Sequence, residues 1–420
     1  MMKKLFTMFA VVALFASALN AQWTNEGAWP DTSQIGATHG IAVDPDGKIW
    51  WNSYYRALDW IQGVDTTTEA GIVVYNADGT EASFSPIITI STGGGFVMDT
   101  IKHATSRGLS TDENGNIVYT RNGNVFKINY QTGEGISKAD IAENIGTSPT
   151  NAAVADDGTV FIGPVAGGNI AMYDTDLSYI GNAVVGPPGI ARTMQVSADG
   201  NTIYWTPFTL GKMYIYNKAD EFAEFALVDS VLEGMVTEST AWNKTTGMLW
   251  LSNLGDNGSY TNLSWYAYNT ETKTIVDSVK WIATGASDEK PRGLGFSPDG
   301  KIAYLGTFAN ANERMQKAVL GAVNVKEIGT GVPEVYSLDQ NYPNPFNPAT
   351  IINFSIPETG LVILKIYNVL GQEVAELVND VKSAGSYNVT FDASDLTSGM
   401  YVYTISAGNY SATRKMMLLK

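Results

Sequence analysis

The sequence predicts an all-β chain, a six-bladed β-propeller followed by a C-terminal Ig-like β-sandwich. Three observations predict it. A unit of short apolar runs recurs six times; the runs within each unit are joined by tight Gly-bearing turns; and after Val325 the repeat gives way to a different, closely spaced alternation of apolar and polar residues. Strands of four to seven residues joined by Asp-Gly or Asn-Gly are hairpins, and repetition of a hairpin unit signals a repeat architecture before any single strand is considered.

The first two strands of each unit, with the turn between them, are readily aligned. They are His39-Gly40-Ile41-Ala42-Val43 with Asp46-Gly47 and Ile49-Trp50-Trp51, then Arg107-Gly108-Leu109 with Asn114-Gly115 and Ile117-Val118-Tyr119. Asn151-Ala152-Ala153-Val154 with Asp157-Gly158 and Thr193-Met194-Gln195-Val196 with Asp199-Gly200 follow. Thr240-Ala241-Trp242 with Gly247 and Arg292-Gly293-Leu294-Gly295-Phe296 with Asp299-Gly300 complete the set. Third strands close on Asn76, Asn129, Asp174, Asn217, Asn269 and, in the run Ala322-Val323-Asn324, Asn324, spaced 43 to 55 residues apart. That period suits a four-stranded propeller blade. A ring also leaves no open sheet edge, which an open array would expose. The sixth unit lacks a fourth strand of its own, so the segment from Gln22 to Trp29 is expected to supply it.

The domain boundaries expected are a leader at 1–21, the propeller at 22–328, a Gly-rich linker at 329–336 and the sandwich at 337–420. The leader carries Lys3 and Lys4, an apolar run from Phe9 to Leu19, and small residues at its exit. This is the pattern of a secretory signal peptide, with cleavage after Ala21 or after Ala18. No later stretch approaches the ~20 apolar residues that span a bilayer, so no integral membrane segment is expected in the mature chain. The net charge of −16 becomes more negative once the two leader lysines are removed, which argues against a nucleic-acid partner. The chain has no cysteine, which excludes thiolate zinc sites, iron–sulfur clusters and thiol nucleophiles.

In an antiparallel blade with strands A to D from axis to rim, the B-to-C loops and the links into strand A emerge on one face. That face has long loops, and long loops on a rigid scaffold are where sites are built. The links and strand-A starts place His39, His103, Arg107, Asn151, Arg192, Glu238 and Arg292 around the axis. Guanidinium groups suit carboxylates and sulfates, so the expected ligand is an anionic small molecule or a carbohydrate. Pairing of these arginines with Asp99, Glu238, Asp288 or Glu289 is the alternative. For catalysis, His39 or His103 would be the general base, with Arg107 stabilising an oxyanion. Tyr54, Tyr55 and Trp60 on the first long loop could stack a sugar ring. Asp256, Asn257, Asn310 and Glu313 are hard oxygen ligands suited to Ca2+, or polar turn residues.

The repeat over residues 30–328 resembles the secreted six-bladed propellers of the strictosidine-synthase-like, gluconolactonase-like and streptogramin-lyase-like group. The loop-rich face points to a ligand-binding or surface-interaction module, and the resemblance implies the alternative, a lyase or lactone hydrolase. After the linker, alternating strands appear at Ile351–Ile356, Val362–Tyr367, Tyr387–Phe391 and Gly399–Ile405. Four motifs here carry a second resemblance: Asn341-Tyr342-Pro343-Asn344-Pro345-Phe346-Asn347-Pro348-Ala349-Thr350, Leu370-Gly371-Gln372-Glu373-Val374, Ser398-Gly399-Met400-Tyr401 and Arg414-Lys415-Met416. Residues 337–420 resemble the type A C-terminal sorting domain of the bacterial type IX secretion system. This implies periplasmic passage, recognition by the outer-membrane translocon as partner, and release or attachment at the cell surface.

Overall fold

The computed structural model describes residues 23–30, 38–53, 71–101, 106–220, 223–283, 289–308, 315–320, 325–327, 333, 335–393 and 396–420. The chain divides into two compact units between Gly321 and Ala322.

The larger unit, Gln22–Gly321, is a ring of six β-blades. Strand A is the innermost strand of each blade: Thr38–Val43, Ser106–Thr111, Pro149–Val154, Ala191–Val196, Thr240–Asn243 and Lys290–Phe296. Each contacts the next in chain order, and the sixth contacts the first, which closes the ring. Strand A is hairpin-linked to strand B by a turn that its own side chains set. In blade 2 the Asp112 carboxylate accepts N–H bonds from Asn114 and Asn116, at 2.9 and 2.7 Å. Gly115 completes that turn at φ +83°, a left-handed value that favours glycine.

Blades 2 to 5 have four sequential strands, and the sixth is completed as expected from the N-terminus. Trp23–Ala28 pairs antiparallel with Gln316–Leu320, with Trp23 opposite Leu320. The Trp23 ring is buried edge-on against Trp250 and Phe296. Asn25 donates to the Gln316 side chain at 2.6 Å and to the Lys280 carbonyl at 2.9 Å, fixing the added strand to blades 6 and 5.

Three elements differ from the sequence reading. Strand C of blade 6 is Gln316–Leu320, not Ala322–Asn324, which lies outside the described residues. The apolar alternation at Ala318 and Leu320 faces the core and sets the register with Ile302–Phe308. Among the described residues blade 1 has three strands in its sheet; its outer edge is covered by a segment that touches at Tyr75/Glu81 and Ile72/Ile87, followed by a hairpin of Thr89–Ser91 and Val97–Thr100. And Val325–Glu327, read as the end of the propeller, pairs with Tyr387–Val389 in the second unit.

That unit is a two-sheet sandwich. One sheet orders Val325–Glu327, Gly385–Asp392, Ala349–Ile356 and Ser337–Leu338; the other orders Glu373–Lys382, Gly360–Asn368, Gly399–Ala407 and Tyr410–Leu418. Alternation along Ala349–Ile356 buries Ile352, Phe354 and Ile356 against Leu364, Ile366 and Ile405. The Pro-rich entry is pinned from inside. Buried Asn341 donates its backbone N–H to the Tyr403 hydroxyl oxygen and its side-chain amide to Thr350 and the Pro343 carbonyl, the last two at 2.9 and 3.0 Å.

Packing at the propeller axis leaves no room for a side chain at some strand-A positions. A Cβ on Gly40 would lie 2.8 Å from the Gly108 Cα, and one on Gly108 would lie 2.2 Å from the Asn151 Cβ. Gly108→Ala is therefore expected to destabilise the propeller by about 1–3 kcal/mol through overpacking. Trp23→Ala, which removes the anchor of the closing strand, is expected to cost about 3–5 kcal/mol. Equilibrium denaturation of each variant checks both.

Candidate functional site

Five of the six inner strands open with a register shift against strand B. It falls between Thr38 and Gly40, Ser106 and Gly108, Pro149 and Ala152, Ala191 and Met194, and Pro291 and Gly293. His39, Arg107, Arg192 and Arg292 all sit inside these bulges. A bulged residue is unpaired in the ladder and its side chain is re-aimed; here that happens at equivalent points around one axis. The three arginines come from blades 2, 4 and 6, every second blade of the ring. In blade 5 the strand starts two residues later, and its approach is held instead by Ser252, whose hydroxyl accepts the N–H groups of Glu238 and Ser239 at 3.0 and 2.9 Å.

Glu238 is the centre of this mouth. Its carboxylate accepts from Arg292 Nε and lies 3.4 Å from Arg192 Nε, with Glu238 and Arg292 both buried. Arg292 Nη1 is 2.7 Å from His39 Nε2. A guanidinium only donates, so Nε2 is the acceptor and a neutral His39 carries its proton on Nδ1. Burial, with help from Arg292, Arg107 and Arg192, holds the His39 ring well below its ordinary value of 6.5. Phe308 backs the group, with the Arg292 Cζ 4.1 Å over its ring and the His39 ring edge-on at 5.3 Å. Arg192 stacks on Phe208 at 4.8 Å, and Arg107 Nε donates to Ser148 at 3.2 Å. His39, Arg107, Glu238 and Arg292 line a narrow cavity of about 20 Å³, space for roughly one water molecule.

Of the residues singled out from the sequence, the structure brings together His39, Arg107, Arg192, Glu238 and Arg292. Asn151 is at the same mouth but in another role: its Oδ1 accepts the Met194 N–H at 3.1 Å and its Nδ2 faces the Ala152 and Met194 carbonyls, so the amide joins blades 3 and 4. His39, read as a general base, has its Nε2 lone pair taken by Arg292 and cannot accept a proton there while that bond holds. Asp256 and Asn257, read as calcium ligands, cap their own loop. Asp256 accepts the Asn262 N–H, and Asn257 accepts those of Ser259 and Tyr260. No group of three metal-binding side chains occurs among the described residues. His103, Tyr54, Tyr55, Trp60, Asn310 and Glu313 lie outside the described residues. Of the carboxylates considered as partners, Asp99 pairs with Arg121 and Lys138, and Glu289 accepts from the Trp281 indole.

The sequence reading missed a second opening. The axial channel is widest at its other end, among the Asp-Gly turns, where a cavity of about 340 Å³ is lined by Trp242, Phe296, Gln195 and Lys244 among others.

Residues 340–419 match the family model of the secretion system C-terminal sorting domain. No curated protein matches the chain. Among solved structures, the chain is similar to virginiamycin B lyase from Staphylococcus aureus, at 14% identity over 71% of this chain and 99% of that one, TM-score 0.44. It is also similar to the calcium-binding protein regucalcin from Agrobacterium tumefaciens, at 12% identity over 70% and 93% of the two chains, TM-score 0.46. A third is the β-propeller domain of Swd1 from Myceliophteria thermophila, at 9% identity over 71% and 99%, TM-score 0.45. The C-terminal sandwich is thus a sorting domain, and the chain is exported through the type IX system to the cell surface or beyond.

Removing the Glu238 charge leaves two guanidiniums at a buried site without it, so Glu238→Gln is expected to cost about 3–5 kcal/mol, read from denaturation midpoints. His39 supplies a pH test. Its folded pKa lies below that of the unfolded chain, so the unfolded state takes the proton first and stability falls as pH drops below 6.5. Between pH 7.5 and 5.5 the wild type should lose more stability than His39→Asn, by up to ~1.4 kcal/mol per pH unit. Equal losses would show that His39 titrates normally.

Proposed function

We propose that the propeller is the exported cargo and that it binds a small anion, a carboxylated or sulfated sugar, at the strand-A mouth. The observation that carries this reading is the placement of Arg107, Arg192 and Arg292 on bulges of alternate blades, around one axis, in a chain whose net charge is −16. Three guanidiniums set against the one carboxylate of Glu238 give this mouth a surplus of basic groups in an otherwise acidic protein. A planar fork suits the two oxygens of a carboxylate or sulfate better than a single ammonium does. Glu238 holds two of the forks in place before any ligand arrives, which lowers the ordering cost of binding. The narrow cavity admits no sugar, so the ligand's charged group rests on this floor and its ring lies outside the cavity.

The engagement of His39 Nε2 by Arg292 favours binding over base catalysis. A lyase or lactone hydrolase working through His39 would first have to break that bond.

Calorimetric titration with D-glucuronate and a sulfated monosaccharide, with glucose as control, tests the proposal. The anions should bind, glucose should not, and affinity should fall as salt is raised. Arg107→Gln should weaken binding roughly 10- to 100-fold, the range for a hydrogen bond to a charged group. Equal binding of glucose and glucuronate, or undiminished binding to Arg107→Gln, would overturn it.

A further inference from the structure

The chamber at the wide end of the channel carries charge of both signs, and the two signs stand apart. Its lining includes Glu113 from blade 2 and Lys244 from blade 5, and in a closed ring of six those two blades face each other across the axis. Both residues are exposed at the rim. Lys244 is the one basic residue of the lining and has no ion pair or hydrogen bond among the described residues. Glu113 accepts the Asn114 side-chain amide through Oε1 at 2.7 Å, and its Oε2 has no partner among the described residues. The other carboxylates of the lining are engaged within the protein. Asp112 pairs with buried Lys127 at 3.0 Å, and Asp44 accepts the Trp50 indole N–H and the Lys48 backbone N–H, each at 2.9 Å. Between the rim charges the wall is mixed. Trp242, Phe296, Leu109 and Leu294 give apolar surface. The Thr111 hydroxyl and Gln195 Oε1 are a donor and an acceptor with no hydrogen-bond partner among the described residues, while Gln195 Nε2 donates to the Thr240 carbonyl at 3.3 Å.

We infer that this chamber is a second binding site, for a short zwitterionic peptide with an apolar side chain. The peptide's ammonium end meets Glu113, its carboxylate end meets Lys244, and its side chain enters the channel against Trp242 and Phe296. A ligand of one charge uses only one side of the rim and leaves the opposite group unmatched. Charged ends on facing blades call for a molecule that holds its own charges apart, as a peptide does. The peptide unit between those ends brings both a carbonyl for Thr111 and an N–H for Gln195 Oε1. An aromatic or aliphatic side chain gains by leaving water against the rings and the two leucines. The volume of about 340 Å³ lies within the roughly 300–1,000 Å³ range of small-molecule sites. This site does not depend on the anion reading of the opposite mouth.

The test uses the tripeptide Gly-Phe-Gly as probe on the full-length protein labelled with 15N-tryptophan. A saturable shift of the Trp242 Nε1–H resonance, identified by its loss in Trp242→Phe, is expected. Triglycine should bind roughly tenfold or more weakly, the effect of removing one buried aromatic side chain. Lys244→Gln should weaken Gly-Phe-Gly roughly five- to tenfold, between the effect of an exposed ion pair and that of a hydrogen bond to a charged group. The same variant should leave binding of the C-terminal amide of the peptide unchanged. Glu113→Gln should weaken Gly-Phe-Gly to a similar degree and leave its N-acetyl form unchanged. Both positions are exposed, so neither variant disturbs the core. Arg107→Gln should leave peptide binding intact, which separates this site from the other. No shift in the wild type, or a Lys244→Gln variant that binds peptide and amide in the wild-type ratio, would overturn the assignment. Triglycine binding as tightly as Gly-Phe-Gly would overturn it as well.

Discussion

Closure of the ring at its axis is the constraint on which the rest of the propeller depends. Six inner strands must approach one another at the same level, and the chain does this in two ways. Between blades 6, 1, 2 and 3 the contact is made by absent side chains: Gly293, Gly40 and Gly108 lie where any Cβ would collide with the neighbouring blade. From blade 3 round to blade 6 it is made by polar side chains that reach across. Asn151 bonds the Met194 backbone, Thr193 meets the Thr240 hydroxyl at 2.5 Å, and Asn243 donates to the Gly300 carbonyl at 2.9 Å. Both solutions use the residues nearest the axis for structure, and so decide what remains for ligands at either end. At the mouth, the bulges that accommodate the close approach also turn His39 and three arginines away from the ladder. At the wide end, the donors of Ser110, Gln195 and Trp242 are held between blades.

Much of this was legible in the sequence. Six copies of an apolar run with an Asp-Gly or Asn-Gly turn specify hairpins, and their period gives the blade. The missing fourth strand of the last unit pointed to Gln22–Trp29, and Trp23–Ala28 fills it. The set His39, Arg107, Arg192, Glu238 and Arg292 followed from where strand A begins. What could not be read is the part that depends on three-dimensional register. A bulge leaves no mark in a run such as Ser106–Thr111, because the extra residue is defined only against its partner strand. Asn151 resembled a ligand group because an amide at a mouth has the same composition whether it faces solvent or a neighbouring carbonyl. The strand at Gln316–Leu320 was misplaced toward Ala322–Asn324 because both runs contain an Ala-Val pair and only pairing with Ile302–Phe308 distinguishes them. The chamber was missed for a related reason: its lining comes from six separate segments, none distinctive alone.

The sorting domain reaches stability by a different route in the same disulfide-free chain. Its Pro-rich entry forms no long strand, yet it is fastened at Asn341 and again at Phe346. The Phe346 ring lies in the core, and its backbone exchanges bonds with Met417 and Leu419 at 2.9 and 3.0 Å. The first and last segments of that unit therefore hold each other.

The propeller is also fastened by joining distant parts of its chain, with a consequence for how it comes into being. Trp23–Ala28 is synthesised before any blade exists, while Gln316–Leu320, its pairing partner, is the last strand of the domain to be made. Until then this strand, with its Trp23 anchor, stays without a sheet and the ring stays open, a state prone to association with other chains. Folding can be completed only after synthesis has passed Leu320, so a propeller cut off before that strand is necessarily an unfinished one.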